Sequence, residues 1–362
     1  MITDLVKYIK LDISNKRVFC LSDIHGEYKV LRLLLERNHY NIDEDYLFIL
    51  GDITRKGSFP LETIRYIMNL SEHKNVIILM GNCDEADIID VYNNDFDQFI
   101  YAVNTKTLVR DLLIEKYKSI PDITKENFKK YQEELKNTKE FIFLKELPHV
   151  IITDKYIFSH AKVPQVINLE NDSYKNYIRG RDFYTKGHSN PQTVIVGHMP
   201  STIFSPSCYN NNLHYESNMI FIDGGMSIYH SGQMNLMIME NNKIVKEDHD
   251  DNLPETICLA SQLGEPFARG TRWPDYEITI LEIGKYFSKC IVNATNELCL
   301  IKNEMICKDS NTTLDDCPGM LINVHKGDIV KVVKTLSGYS LVKKDGIVGW
   351  IKNSYLGGVN EI

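Results

Sequence analysis

Six polar side chains stand at the ends of apolar runs: Asp23 and His25 after RVFCLS, Asp52 after YLFILG, Asn82 after VIILMG, His160 after KYIFS and His198 after TVIVG. A short apolar run reads as a buried strand, and its polar tip delivers a side chain to one edge of a sheet. Carboxylate, amide-oxygen and imidazole donors that meet on such an edge suit a pair of divalent cations. One carboxylate can bridge two ions about 3.5–4 Å apart. A single histidine on an apolar strand usually packs in a core, but six such groups at successive strand ends argue for a shared site. MIFIDGG (219–225) adds Asp223 at a further tip.

These tips need elements to hold them. Helical spacing in EYKVLRLLLERN after His25 and in LETIRYIMNLSE after Pro60 makes the first three runs a βαβαβ unit. Residues 95–146, rich in Lys, Glu and Phe with helical spacing and no turn clusters, read as a helical insertion. Past 250, Pro254, Pro266 and Pro274 with Gly264 and Gly270 predict a linker over 251–289, and short strands with turns follow over 290–358.

The chain has 362 residues, 43% hydrophobic, enough for a full core, and two domains are expected. Its formal charge of −8 opposes broad binding to nucleic acid or to anionic membranes. No apolar run approaches the ~20 residues that span a bilayer, and no basic start leads into an apolar segment. The eight cysteines form no CxxC pair, and four of them, Cys290, Cys299, Cys307 and Cys317, crowd the C-terminal region. They read as reduced core thiols, which predicts a cytoplasmic location.

The ordered motifs SDIHGE (22–27), GDITRKG (51–57), GNCDE (81–85), SHA (159–161) and VGHMP (196–200) resemble those of the calcineurin-like metallophosphoesterases. Over about residues 15–245 they are most similar to the phosphoprotein phosphatase branch of bacterial type. That resemblance implies an α/β fold, a β-sandwich flanked by helices, over residues 1–250. It implies two divalent ions, Mn2+, Fe2+/3+ or Zn2+: Asp23 and His25 on one, Asn82, His160 and His198 on the other, and Asp52 bridging. Asp223 would support the ligands from behind. A water shared by the ions would supply hydroxide near neutral pH. Arg179 is the first choice for clamping phosphate, with Arg181 second, both in YIRGRDFY (177–184). KGDIVKVVKTLSGYSLVKKDGIVGWIKNSYL (326–356) carries a resemblance, over about residues 290–358, to a bacterial SH3-like domain, which implies a small all-β barrel there with a peptide or protein ligand.

Two departures from the family pattern fall on one functional pair. Its second Asp is Arg55 here, followed by Lys56, and the His of its GNHE motif is Cys83. Cys83 stands where the family's proton donor stands, yet a thiol is a poor acid beside an imidazolium. His188, His214 and His230 lie in segments that could approach the site. Arg55 and Lys56 could grip a longer phosphate chain. The leading expectation is a serine/threonine protein phosphatase acting on phosphoproteins or small phosphoesters. The alternatives are a hydrolase of dinucleotide polyphosphates or phosphodiesters, and a non-catalytic phosphate-sensing scaffold.

Overall fold

A computed structural model describes residues 4–205, 209–264, 270–307 and 309–358. The chain divides into two compact units. The first comprises Met1–Pro200, Leu213–Ile228 and Met234–Asp250, the second Ser201–Asn212, Tyr229–Gln233 and Asp251–Ile362.

The first unit carries strands β1 (Tyr8–Lys10), β2 (Arg17–Leu21), β3 (Tyr46–Ile49), β4 (Val76–Ile78), β5 (Val150–Ile152), β6 (Tyr156–Ser159) and β7 (Thr193–Val196). After β8 (Tyr209–Asn210), which belongs to the second unit, come β9 (His214–Glu216), β10 (Met219–Phe221), β11 (Met234–Glu240) and β12 (Lys243–Asp250). They form two sheets, ordered β1-β5-β6-β7-β10-β9 and β12-β11-β2-β3-β4. Val18, Cys20, Phe48, Leu50 and Ile77 of the second sheet share one core with Ile151, Phe158, Ile195 and Ile220 of the first, so the sheets face each other as a sandwich.

Strands β2, β3 and β4 pair in parallel, and so do β6, β7 and β10. Parallel neighbours need crossovers. For β2 to β4 these are α1 (Tyr28–Arg37) and α2 (Pro60–Leu70), which bury Val30, Leu31, Leu34 and Leu35, and Leu61, Ile64 and Ile67. Parallel pairing places the C-terminal tips side by side, so Asp23, Asp52 and Asn82 leave one sheet at the same edge. After α3 (Asn82–Tyr92), the stretch expected as a helical insertion holds α4 (Phe96–Asn104), α5 (Leu108–Tyr117), α6 (Phe128–Lys136) and α7 (Lys139–Glu146). No helix among the described residues is long and apolar enough to cross a membrane.

In the second unit, β13 (Glu255–Ile257) and β14 (Ile278–Ile283) lie within the stretch expected as a linker. Pro266, one of its predicted markers, falls outside the described residues. The remaining strands are β15 (Phe287–Val292), β16 (Glu297–Lys302), β17 (Ile306–Cys307), β18 (Thr312–Thr313), β19 (Ile329–Thr335), β20 (Tyr339–Lys344) and β21 (Ile347–Lys352). An open sheet ordered β13-β19-β20-β21-β8 accompanies a β14-β15-β16 meander and a β17-β18 hairpin. Among the described residues no closed barrel forms, contrary to expectation. Side chains alternate across a strand, and here both faces are covered: Leu341, Val348 and Trp350 pack with Cys290, Cys299 and Ile301, whereas Val342 and Ile351 pack with Cys258, Ile322 and Val324. A sheet buried on both faces has no reason to curl around one core. The described cysteines are free thiols.

Phe48 is fully buried and meets Phe158 of the facing sheet edge-on, with ring centroids 5.0 Å apart. Phe48→Ala is therefore expected to lower unfolding free energy by about 3–5 kcal/mol in urea titration. A loss below about 1 kcal/mol would mean that this ring does not tie the two layers together.

Candidate metal centre

The strand tips enter the site through strained backbone. Asp23, His25, Asp52 and His198 have φ of 54°, 45°, 54° and 68°, the left-handed region that non-glycine residues avoid at a cost of about 1–3 kcal/mol each. Cross-tip hydrogen bonds hold them there: Asp23 N–H donates to Gly51 O (3.0 Å), and His25 N–H to Asp52 O (2.9 Å). Two glycines make room for the carboxylates. A Cβ on Gly81 would lie 2.2 Å from Asp52 Oδ1, and one on Gly197 would lie 2.2 Å from Asp23 Oδ2. The G of each motif is thus a steric requirement of the acid it admits.

The structure brings together all six residues expected to be ligands. Asp52 lies at the centre: His160 Nε2 is 3.3 Å from Oδ1 and His25 Nε2 is 3.8 Å from Oδ2. His25 Nε2 is also 3.8 Å from Asp23 Oδ1, and Asn82 Oδ1 lies 3.0 Å from His160 Nε2. His198 stacks edge-on to His160 at 5.1 Å, and its N–H donates to Asp23 Oδ2. Leu50 O, 2.8 Å from Nδ1 of His160, accepts the proton that fixes this ring with Nε2 inward. Two groups of three donors each lie within 4.8 Å: His25, Asp52 and Cys83, and Asp23, Asp52 and His160. Asp52 belongs to both groups.

Burial pushes His25 down to about 4, and burial followed by the neighbouring His160 pushes His198 to about 3. Both rings are therefore neutral, the form that ligates metal. Burial and the charge of Asp52 push Asp23 up to about 8. Burial would raise Asp52 too, but the His160 and His25 rings and the Cys83 N–H hold it below the usual carboxylate range. A set of oxygen and imidazole donors, buried except for the half-buried Asn82 and His198, with two mutually repelling carboxylates fits divalent cations.

A family model described as calcineurin-like phosphoesterase matches residues 16–236, well over half of the chain. The chain belongs to this family. Its members are metal-dependent phosphoester hydrolases with a dinuclear divalent site. A symmetrical bis(5'-nucleosyl)-tetraphosphatase of Buchnera aphidicola subsp. Schizaphis graminum is 36% identical over 100 residues, 25% of this chain and 36% of the relative. One from Buchnera aphidicola subsp. Acyrthosiphon pisum (strain Tuc7) is 31% identical over 112 residues, 29% of this chain and 40% of the relative. The chain thus spans less than half the length of these relatives. The solved cold-active protein-tyrosine phosphatase of a psychrophile, Shewanella sp., is 16% identical with a TM-score of 0.45, covering 68% of this chain and 83% of its own.

Within this metallophosphoesterase, α3 carries a layer that the sequence pattern did not reveal. It buries Asp84, Glu85, Asp87 and Asp90, residues that are seldom buried unless paired. Asp84 accepts from the backbone N–H of Asp52 (2.9 Å), Ile53 (2.9 Å) and Gly81 (2.8 Å), locking two tips to each other. Burial, then the charge of Asp52, pushes it up to about 7. The recurrence of acids at 84, 87 and 90, one helical face, was the available signal.

The expected phosphate-binding cations separate. Arg55 does not reach toward substrate: its Nε donates to Asp87 Oδ1 (2.9 Å) and its other nitrogen to Asp90, with Thr54 Oγ1 donating to Asp87 as well. Two buried carboxylates of α3 outcompete solvent for the guanidinium. Arg179 donates from two nitrogens to Glu85, whose other oxygen accepts from Tyr174. Its side chain is still 46% exposed. Arg181 is close enough for its charge to act on His198, and exposed Lys56 acts on Asp23, His25, Cys83 and His198.

The other candidates divide in the same way. Cys83 is buried with its N–H donating to Asp52 Oδ1 at 2.8 Å; burial and then the charge of Asp52 push its thiol well up, which removes it as a proton donor near neutral pH. His188 stacks on Phe183 with Nε2 3.3 Å from Asn218 O, His214 lies between Tyr184, Phe221 and Glu216, and His230 belongs to the second unit. Asp223 is buried close enough to Asp23 for the two charges to repel, and it accepts from Gly225 N–H at 2.7 Å.

Asp84→Asn would place an amide donor against backbone donors and loosen the tips. Loss of such a partner behind a ligand costs about 10–100-fold in metal affinity, so Mn2+ titration by calorimetry is expected to show a drop in that range. Unchanged affinity would restrict Asp84 to folding alone.

Proposed function

We propose that this chain is a dinuclear-metal phosphohydrolase acting on dinucleotide polyphosphates, the first of the two alternatives drawn from the sequence. The observation that carries the metal centre is Asp52, shared between two donor groups at the meeting of the strand tips. Following the family pattern, Asp23 and His25 would hold one ion, Asn82, His160 and His198 the other, and Asp52 both; Asp23 lies 3.8 Å from His25 but also groups with Asp52 and His160. When bound, the ions supply Lewis acidity and a water-derived nucleophile at neutral pH. Leu50 O and the Asp84-anchored backbone fix the donors in place, while Lys56 and Arg181 bind phosphate oxygens at the rim, with Arg179 presented by Glu85. Asp52, Lys56 and Arg179 thus carry the catalytic and binding roles, and Arg55 orders the loop instead.

Three considerations favour the substrate class. Residue 83 offers no ready proton, so leaving groups of low basicity, such as a nucleotide phosphate, are preferred over a serine alkoxide. Lys56 and Arg181 add positive charge suited to more than one phosphate. The bacterial relatives named above bear that activity in their names over a shared segment.

A protein phosphatase reading keeps the support of VGHMP, which has one histidine as in the bacterial phosphoprotein phosphatases. In that reading the SH3-like motifs of 326–356 would bind peptide. In either case the catalytic portion lies within residues 1–250, without Ser201–Asn212 and Tyr229–Gln233, which belong to the second unit, and the reduced thiols and acidic surface suit the cytoplasm.

With Mn2+, a diadenosine tetraphosphate is expected to be cleaved at higher kcat/KM than a phosphoserine peptide or an alkyl phosphate; the reverse order would return the protein phosphatase reading. Asp52→Asn should reduce metal below two ions per chain by elemental analysis and lower turnover more than about 100-fold, since one carboxylate serves both ions. Lys56→Ala should lower kcat/KM by about tenfold or more, because a charge-assisted hydrogen bond contributes about 1.5–3 kcal/mol. Equal loss on short and long substrates would place Lys56 on the cleaved phosphate alone.

A further inference from the structure

We propose that Cys83 is itself a metal ligand, donating sulfur to the cation that His25 and Asp52 hold. This rests on the reading that the strand tips bind divalent ions, and adds a donor that the family pattern does not supply at this position.

Three observations converge on the sulfur. His25, Asp52 and Cys83 each offer one ligand atom, all mutually within 4.8 Å, and the residues are 1%, 3% and 6% exposed. The Cys83 N–H donates to Asp52 Oδ1 at 2.8 Å, so the backbone that carries the thiol is fixed on the shared carboxylate. The amide of Asn82 then divides the site. Its Oδ1 faces His160 Nε2 at 3.0 Å, whereas its Nδ2 donates toward Cys83 Sγ at 3.7 Å. An amide nitrogen cannot ligate a cation and turns to an acceptor. On the His25 side that acceptor is the sulfur, while the ligating oxygen serves the His160 side.

The resulting sets differ in chemistry. Oxygen and imidazole surround the His160 side, and nitrogen, oxygen and sulfur the His25 side. Thiolate selects Zn2+, Cd2+ or Co2+ over harder Mn2+ or Mg2+. Binding breaks the S–H bond, forms a sulfur–metal bond and releases one proton to solvent, with no change of oxidation state. The two positions should therefore differ in metal preference, and the residue that replaces the family's proton donor gains a different task.

The test uses the full chain loaded with Co2+. A thiolate-to-cobalt charge-transfer band is expected in the near ultraviolet, lost in Cys83→Ser while the visible ligand-field bands and the cobalt content remain. The same variant should lower the ratio of Cd2+ to Mn2+ affinity by at least about tenfold. Should the variant misfold, zinc-edge X-ray absorption on the unaltered protein decides: one sulfur at about 2.3 Å among lighter ligands supports the proposal. Absence of that sulfur, or a charge-transfer band that persists in Cys83→Ser, overturns it and leaves the metal centre standing. A chain that takes up no cobalt or zinc overturns the metal centre and this proposal together.

Discussion

The carboxylate of Asp52 is the constraint around which the catalytic unit is arranged. It is 3% exposed and takes hydrogen bonds or close approaches from Cys83 N–H, His160 and His25 at once. A buried acid of this kind is tolerable only where other groups offset its charge. Its position allows no Cβ at residue 81, and Gly51 beside it cannot carry one either: such a Cβ would lie 2.4 Å from Gly81 N. The glycine-acid and glycine-amide pairs of the two motifs are consequences of two backbones passing within contact distance. Asp84 then closes the arrangement from the other side by taking three backbone N–H groups of the same two tips.

That constraint propagates outward through sheet topology. Parallel β2, β3 and β4 end together, as do parallel β6 and β7 of the facing sheet, so tips far apart in sequence meet at one rim. The two layers are linked at the site itself, by His160 to Leu50 O and by His198 N–H to Asp23. A site built this way depends on the register of both sheets. Damage to the shared Phe48–Phe158 contact would disturb the donors as well as the core.

The strand tips were legible in the sequence because a buried strand has to be apolar along its length and can turn polar only where it leaves the sheet, so each run marks its own end. The six proposed donors were named from that pattern and its family resemblance. What was not legible is pairing over distance. Arg55 sits 32 residues from Asp87 and 35 from Asp90, and nothing in GDITRKG indicates that its guanidinium turns away from the rim. The acidic face of α3 was equally hidden, since acids on a helix ordinarily face water. In the second unit the strand motifs of 326–356 were readable. The coverings on each sheet face, which keep it open, were not: Cys258 on one face and Ile278 on the other come from the stretch whose Pro and Gly content had suggested a linker, and the rest from residues outside those motifs.

Arg55 and Lys56 show how one loop can use two adjacent cations for opposite purposes. Both lie in the left-handed region, at φ of 69° and 65°. Arg55 turns toward α3, where Asp87 and Asp90 are buried acids that would otherwise lack a counter-charge; removing one partner of such a buried pair costs about 3–5 kcal/mol. The helix that positions Asn82 and Asp84 and the loop that positions Lys56 are therefore joined by that ion network. Lys56, one residue on, stays exposed and adds its charge to that felt by Asp23, His25, Cys83 and His198. The exchange of the family's second acid for Arg55 thus reads as a change in what anchors the loop. With a cation as the anchor, the rim has no carboxylate at that position to orient a proton-donating histidine. It is consistent that residue 83, whose donor role depended on such a partner, is a cysteine turned toward His25 and Asp52.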